Sequence, residues 1–290
     1  MIVVASHRYA GRQIALPTRH GKQRVLARPL WHGLGLELRH AATVDTDTFG
    51  SFSGEISRPA DALNTCQLKA EAGMRALALD LGIASEGAFG PHPAVPLLPV
   101  GREWMVFVDQ RDHLVISEQL LSRTTNYSSC RASDPAAITG WLKQVGFPSH
   151  ALMVRAHEPS APTAPWLAKG VQDPIELADL MAAAAHRSPL GQAWLETDMR
   201  AHCNPTRRAS IRQLAFQLVR RVASACPACG APGWGVVSRV PGLPCSSCGL
   251  GTELIHFEQL GCVACDHTQL HPRRDGLISA DPSQCPYCNP

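Results

Sequence analysis

The chain has 290 residues, 45% hydrophobic and 18% charged, with a formal net charge of +3. That length accommodates one full-sized domain and a small appendage, and the lack of any apolar run near the roughly 18 residues of a membrane span excludes a helical membrane protein. The charge is too small to argue for nucleic acid by itself, because a basic domain normally shows a much higher pI.

The opening segment Met1 to Arg8 carries too short an apolar stretch for a secretory signal, and Arg8 and Arg12 lie on the wrong side of it, so a cytoplasmic location is expected. In chain order, Ile2 to Ala5 and Gln13 to Pro17 read as short strands, and Gly21 to Leu34 as a helix interrupted at Pro29. Leu36 to Val44 is extended, and Ala60 to Leu81 is the clearest amphipathic helix. Trp104 to Asp109 and Leu114 to Leu120 form a candidate hairpin across a polar turn; Ala136 to Gln144 is a helix and Ala151 to Val154 a buried strand. A Pro and Ala cluster from Glu158 to Pro165 reads as a loop. Beyond it come a helix from Pro174 to His186, a strand from Ala193 to Glu196, and a long helix from Pro205 to Val222 whose Ile211, Leu214, Leu218 and Val222 share one face. The fold class is therefore α/β: a mixed-sheet body with flanking helices over residues 1–224, followed by a small two-zinc, ribbon-type tail over 225–290.

The tail rests on cysteine arithmetic. Of eleven cysteines, eight fall after Ala225 as four Cys-x-x-Cys pairs, while Cys66, Cys130 and Cys203 are scattered. In a reducing compartment such clustering indicates metal rather than disulfides. Fifteen residues separate Cys226/Cys229 from Cys245/Cys248, and nineteen separate Cys262/Cys265 from Cys285/Cys288, both of which match zinc-ribbon spacing. Sequential pairing is the preferred reading, and an interleaved cross-brace joining Cys226/Cys229 to Cys262/Cys265 stays open, because the 13-residue gap between Cys248 and Cys262 permits it. With every ligand a thiolate, no position is left for a reactive water, so the two ions are structural; iron in a rubredoxin-like site is the competing metal.

The body carries three polar clusters. Thr18-Arg19-His20-Gly21-Lys22 sits at a strand-to-helix turn, where amides and a lysine commonly receive phosphate; a merely capped, solvated turn is the plain alternative. The stretch Asp45 to Glu55 follows a strand and offers three carboxylates, Asp45, Asp47 and Glu55, suited to Mg²⁺ or Mn²⁺. Within it Gly50-Ser51-Phe52-Ser53-Gly54 satisfies G-x-S-x-G, but no helix follows as a nucleophile elbow requires. Asp45-Thr46-Asp47 resembles the nucleophile motif of haloacid-dehalogenase phosphatases, without the later acidic pair that family uses. The third cluster, Glu196 to Arg208, places Asp198, Arg200 and His202 before a helix that Asn204 is suited to cap, with Arg207 in its first turn. A structural Asp and Arg network is the plain alternative there. His7, His32 and His40 read as ordinary residues, and phosphate-loop and dinucleotide fingerprints are absent.

Taken together, the Asp45 to Glu55 block, Ser85 to Pro93, Glu196 to Arg207 and the closing cysteine pairs resemble a bacterial family known only as a domain of unknown function, which implies no activity. The order of parts in residues 14–220 is also similar to the house-cleaning pyrophosphatases that remove inosine and xanthosine triphosphates: a strand, a Thr-x-x-x-Lys turn, an acidic loop, a long helix carrying Thr65 to Ala70, an acidic-Gly turn at Glu86-Gly87, and a His/Arg segment opening the last helix. That resemblance implies phosphate binding by Lys22 and Lys69, metal binding or water activation by Glu55 and Glu86, and approach of Arg200 and His202 to a base. It departs from the pattern where Arg19-His20-Gly21 replaces an Asn, where a single Glu86 replaces an Asp pair, and in having the cysteine tail.

The function expected from these parts is metal-dependent hydrolysis of a phosphorylated, nucleotide substrate, with zinc in the tail and Mg²⁺ or Mn²⁺ in the body. Asp47, Glu55, Glu86 and Asp198 are the candidate catalytic carboxylates, and Arg19, Lys22, Lys69, Arg200, His202 and Arg207 the candidate phosphate-binding set. A non-enzymatic nucleic-acid- or protein-binding protein is the alternative, using the tail and the arginines of the last helix, Arg207, Arg208, Arg212, Arg220 and Arg221. Convergence of Lys22, Glu55, Glu86 and Arg200 on one cleft discriminates the two.

Overall fold

Alternation of side chains along the strands sorts the body into layers. In the computed structural model, which describes residues 7–51, 56–156 and 167–289, β1 (Gln13–Leu16) sends Ile14 and Leu16 to one face and Ala15 to the other. On the first face α1 (Gln23–Leu34) and α5 (Pro205–Ala223) cover a core containing Leu26, Leu30, Ile211, Leu214 and Leu218. On the second face α2 (Ala62–Leu77) packs Cys66, Ala70 and Met74 against Ala84, Val106 and Val108. Each layer is thus one apolar stripe buried against one sheet face.

The sheet between them is mixed. Its order is β2 (Glu37–His40), β1, β3 (Leu81–Pro91), β4 (Pro99–Asp109), β5 (Leu114–Ser122), parallel where β1 meets β2 and β3 and antiparallel from β3 to β5. The expected hairpin is the β4–β5 pair. A second, antiparallel sheet, β6–β9–β7–β8, is built from Ser129–Ala132, Ala193–Thr197, Leu152–Arg155 and Ala168–Val171 and has a core of its own. It packs against α3 (Thr139–Val145) and α4 (Pro174–Arg187). The body is therefore two-lobed, which the sequence reading did not anticipate.

Several boundaries differ from expectation for identifiable reasons. Pro29 lies inside α1 without ending it: the helix forgoes one backbone bond there while Leu26, Pro29, Leu30 and Leu34 are all buried on its inner side. Gly33 lets α1 approach α5, since a Cβ there would meet Val219 Cγ1 at 2.1 Å. The Ala60 to Leu81 helix is shorter, starting after the Asp61 cap and closing at Ala78 in the left-handed region. The acidic-Gly turn expected at Glu86-Gly87 lies instead inside the eleven-residue strand β3. Ile2 to Ala5, Glu55 and the Glu158 to Pro165 segment lie outside the described residues.

The tail forms a three-stranded antiparallel sheet, β10 (Gly235–Pro241), β11 (Ile255–Gly261) and β12 (Thr268–Pro272). It docks on the body: Val263 packs against the main core, and Arg221 of α5 donates to the carbonyls of Gly233 and Ser117. Among the described residues no helix is long and apolar enough to cross a membrane.

Candidate functional site

Sheet register places the first site. β1 runs parallel to β3 with Ala15 opposite Gly82, so the turn leaving β1 at Pro17 emerges level with Ser85 and Glu86. From that turn Lys22, at the start of α1, reaches across and donates from Nζ to the Ser85 carbonyl at 2.5 Å. Lys69, carried on the inner side of α2, forms an ion pair with Glu86. Arg58 completes the enclosure, 3.4 Å from the other Glu86 oxygen and donating to the Gly87 carbonyl at 2.7 Å. The cleft has an empty volume of about 480 Å³, open solvent included, and is lined by these groups with His20, Thr18, Asp47, Ser51, Ser85 and Arg207.

Its electrostatics favour an anion. Lys22, Lys69 and Glu86 are all buried. Burial alone would raise the Glu86 carboxyl, but Lys22, Lys69 and Arg58 offset this and hold it below its usual range. Burial and the Arg207 guanidinium lower Lys22 to about 8, against the opposing pull of Glu86 and Glu103. His20 falls to about 3, first through burial and then through Lys22 and Arg207, so its imidazole is neutral. It stacks on His202 with ring centroids 5.2 Å apart. Both oxygens of Glu86 face cations, whereas the Ser85 hydroxyl is buried without a hydrogen-bond partner. A buried, unpaired hydroxyl at the cleft wall beside a lysine is an unused hydrogen-bonding group.

The candidate residues separate into three groups. Lys22, Asp47, Lys69, Glu86 and Arg207 line this cleft together. Asp198 and Arg200 do not: Asp198, fully buried, grips Arg200 through Nε and a terminal nitrogen at 2.6 to 3.0 Å, the internal network that was the plain alternative. Arg19, paired with Asp45 at 2.9 Å, and His202 line a neighbouring groove. Arg207 enters the cleft only as part of a buried pair, donating to Glu103 at 2.7 Å and to the Met199 carbonyl at 2.5 Å. Glu55 lies outside the described residues. Of the two groups that complete the cleft, Ser85 opens the Ser85 to Pro93 segment noted in the sequence but was given no role there, and Arg58, which stands beside Pro59, was not singled out. Gly87 is required there, because a Cβ would lie 2.5 Å from an Arg207 nitrogen.

No cluster of three or more carboxylate or imidazole ligands forms around this cleft among the described residues; the groups that could hold a metal ion are two cysteine tetrads. These are Cys226, Cys229, Cys262 and Cys265, and Cys245, Cys248, Cys285 and Cys288. The preferred sequential pairing is therefore corrected to the interleaved cross-brace. Its physical cause is the sheet: β10 and β11 run antiparallel with Gly235 opposite Gly261, which carries the Cys262 turn back to the Cys226 turn. A bridge from Cys245 to Ala280 does the same for the second tetrad. Sulfurs from different turns lie 3.6 to 3.9 Å apart, close to the roughly 3.8 Å expected of thiolates on one tetrahedral zinc and far too long for disulfides. Backbone amides of Ala228, Ser247 and Ala264 point at Sγ of Cys226, Cys245 and Cys262 at 3.3 to 3.4 Å, which stabilises the thiolate form.

Of the five α5 arginines on which the binding alternative depended, Arg212 and Arg220 are exposed, while the other three bond within the chain. Arg207 and Arg221 are taken up internally, and Arg208 donates to the carbonyls of Ala201 and His202.

Residues 69–290 match the family described as a domain of unknown function, DUF6671, and the chain belongs to it. No curated protein and no solved structure matches.

Proposed function

We propose that the protein is a hydrolase of a phosphorylated, nucleotide substrate, with the phosphates bound in the cleft between Lys22, Lys69, Arg58 and Ser85. The observation that carries this reading is the convergence of two buried lysines from different elements, with a buried unpaired hydroxyl, on one small enclosure. Cations fixed in a low-dielectric site are worth most where negative charge develops on a transferring phosphoryl group. Glu86 holds Lys69 and Arg58 in place. Asp47, whose nearest ion-pair partner is the neutral His20 at 3.8 Å, is the lining carboxylate with oxygens to spare for a substrate-borne Mg²⁺ or Mn²⁺. Such an ion supplies charge neutralisation of the phosphates.

The tetrads suit zinc, and with four thiolates per ion they are structural. On this reading residues 1–224 are the catalytic unit and 225–290 a recognition module, whose exposed Leu270, Ile278 and Tyr287 suit contact with another macromolecule. Incubation with a panel of nucleotides in the presence and absence of Mg²⁺ tests the activity. Metal-dependent release of phosphate or pyrophosphate that Lys22→Ala lowers by about a hundredfold is expected, and absence of turnover across the panel would remove the enzyme reading.

A further inference from the structure

Beside the cleft, across the Thr18 to Lys22 turn, lies a second and larger hollow. Its lining includes Arg19, Gln23, Arg24, His40, His202 and Arg208, and no carboxylate. Thr18 lines both spaces, and the stacked pair of His20 and His202 forms the partition, one ring facing each side. The two hollows are thus consecutive along one surface path.

Three features of the groove exceed what a single phosphate chain in the cleft would use. Arg24 is exposed and its side chain makes no ion pair or hydrogen bond among the described residues, so its charge is available to an outside anion. Arg208 is oriented by the carbonyls of Ala201 and His202, which fixes its guanidinium without neutralising it. His202 presents an exposed imidazole to the groove, with His20 stacked on it at 5.2 Å between centroids, a surface suited to stacking a base. Cationic side chains beside an exposed imidazole in one groove match a nucleotide chain, which offers both phosphates and bases.

We propose that the groove is a nucleic-acid subsite, and that the substrate is the phosphorylated end of a single strand, with its terminal phosphate in the cleft and the following nucleotides along Arg19, Arg24, Arg208 and His202. This rests on the phosphate-binding reading of the cleft and extends it from a free nucleotide to a strand. A single strand is specified because its unstacked bases can lie against the exposed His202 imidazole.

The test compares three probes on the full-length protein by competition and fluorescence anisotropy: inorganic pyrophosphate, ATP, and a 5′-phosphorylated oligonucleotide of about eight residues, single-stranded or annealed to its complement. The strand should bind at least about tenfold more tightly than ATP and weaken with added salt, and Arg24→Ala should cut the ratio of strand to pyrophosphate affinity about tenfold and reduce the salt slope by about one. If pyrophosphate binds but the strand binds no better than ATP, or the duplex binds as well as the strand, this inference fails while the cleft reading stands. An unchanged ratio in Arg24→Ala overturns the placement in the groove. If pyrophosphate itself does not bind, both readings fall.

Discussion

The cleft of the body and the thiolate sites of the tail assemble their groups by opposite means. In the tail, each Cys-x-x-Cys turn brings two ligands together within four residues of chain, and the sheet has only to bring two turns into register. In the body, Lys22, Asp47, Arg58, Lys69 and Glu86 come one at a time from five separate places and meet only after β1, β3 and α2 have packed. The stabilising forces differ to match. The body has three apolar clusters, whereas few of the tail's own residues are buried, several of them metal ligands or their neighbours. A site built from local turns can rely on a metal ion for its stability; a site built from remote residues depends on the surrounding core.

Removing zinc gives the largest expected effect. Chelation should destabilise the tail by on the order of 10 kcal/mol while leaving the body folded, which protease mapping would show as digestion confined to the region beyond about residue 224. Digestion of the body as well would show that the Val263 and Arg221 contacts bind the two units into one. The pairing is tested by Cys262→Ser with Cys265→Ser. The cross-brace predicts loss of one of two ions and alkylation of Cys226 and Cys229, with Cys285 and Cys288 still protected; the reverse pattern would restore sequential pairing.

Next in size is the buried pair beneath the cleft. Glu103→Ala leaves the Arg207 guanidinium buried without its carboxylate and should cost about 3–5 kcal/mol, measurable by denaturant melting. A change below about 1 kcal/mol, the scale of an exposed pair, would mean that Arg207 finds another partner. A smaller effect should follow from Lys22→Ala: turnover should fall by about a hundredfold, as for loss of one preorganised contact, with the melting temperature retained.

The smallest effect is in pH. Lys22 has a folded pKa of about 8 against an ordinary 10.5, so between those values the unfolded chain holds more protons than the folded one, and stability should rise with pH across that window. Pyrophosphate affinity should move the other way, falling above about pH 8 as the lysine loses its charge. His20, neutral down to about pH 3, should add no transition near pH 6. A break in affinity below pH 6.5 would point to His202 instead, whose pKa is lowered by burial and Arg200.

Much of the fold was legible where local signals dominate. Asn204 reads as a cap and does accept from the Arg207 amide at 2.9 Å, and the shared face of Ile211, Leu214, Leu218 and Val222 is the buried face of α5. Lys22 and Lys69 were legible because their motifs are short. The β3 strand was not, since Ser85-Glu86-Gly87 has the composition of a turn; its polar groups are matched by Lys22, Lys69 and Arg58 from distant positions, which no window along the chain can reveal. The same limit applies to the cysteines: spacing identifies all eight ligands, yet the pairing is decided by strand register.

The interleaved ligands impose an order of events on synthesis. As the chain emerges, Cys226, Cys229, Cys245 and Cys248 are available before Cys262, and their spacing is competent for a tetrahedral ion. The first tetrad able to close on a nascent chain is therefore a non-native one. A metal captured at that stage would reach the observed tetrad only by ligand exchange, with Cys262 and Cys265 displacing Cys245 and Cys248 as β10 pairs with β11 and leaving those thiolates to Cys285 and Cys288.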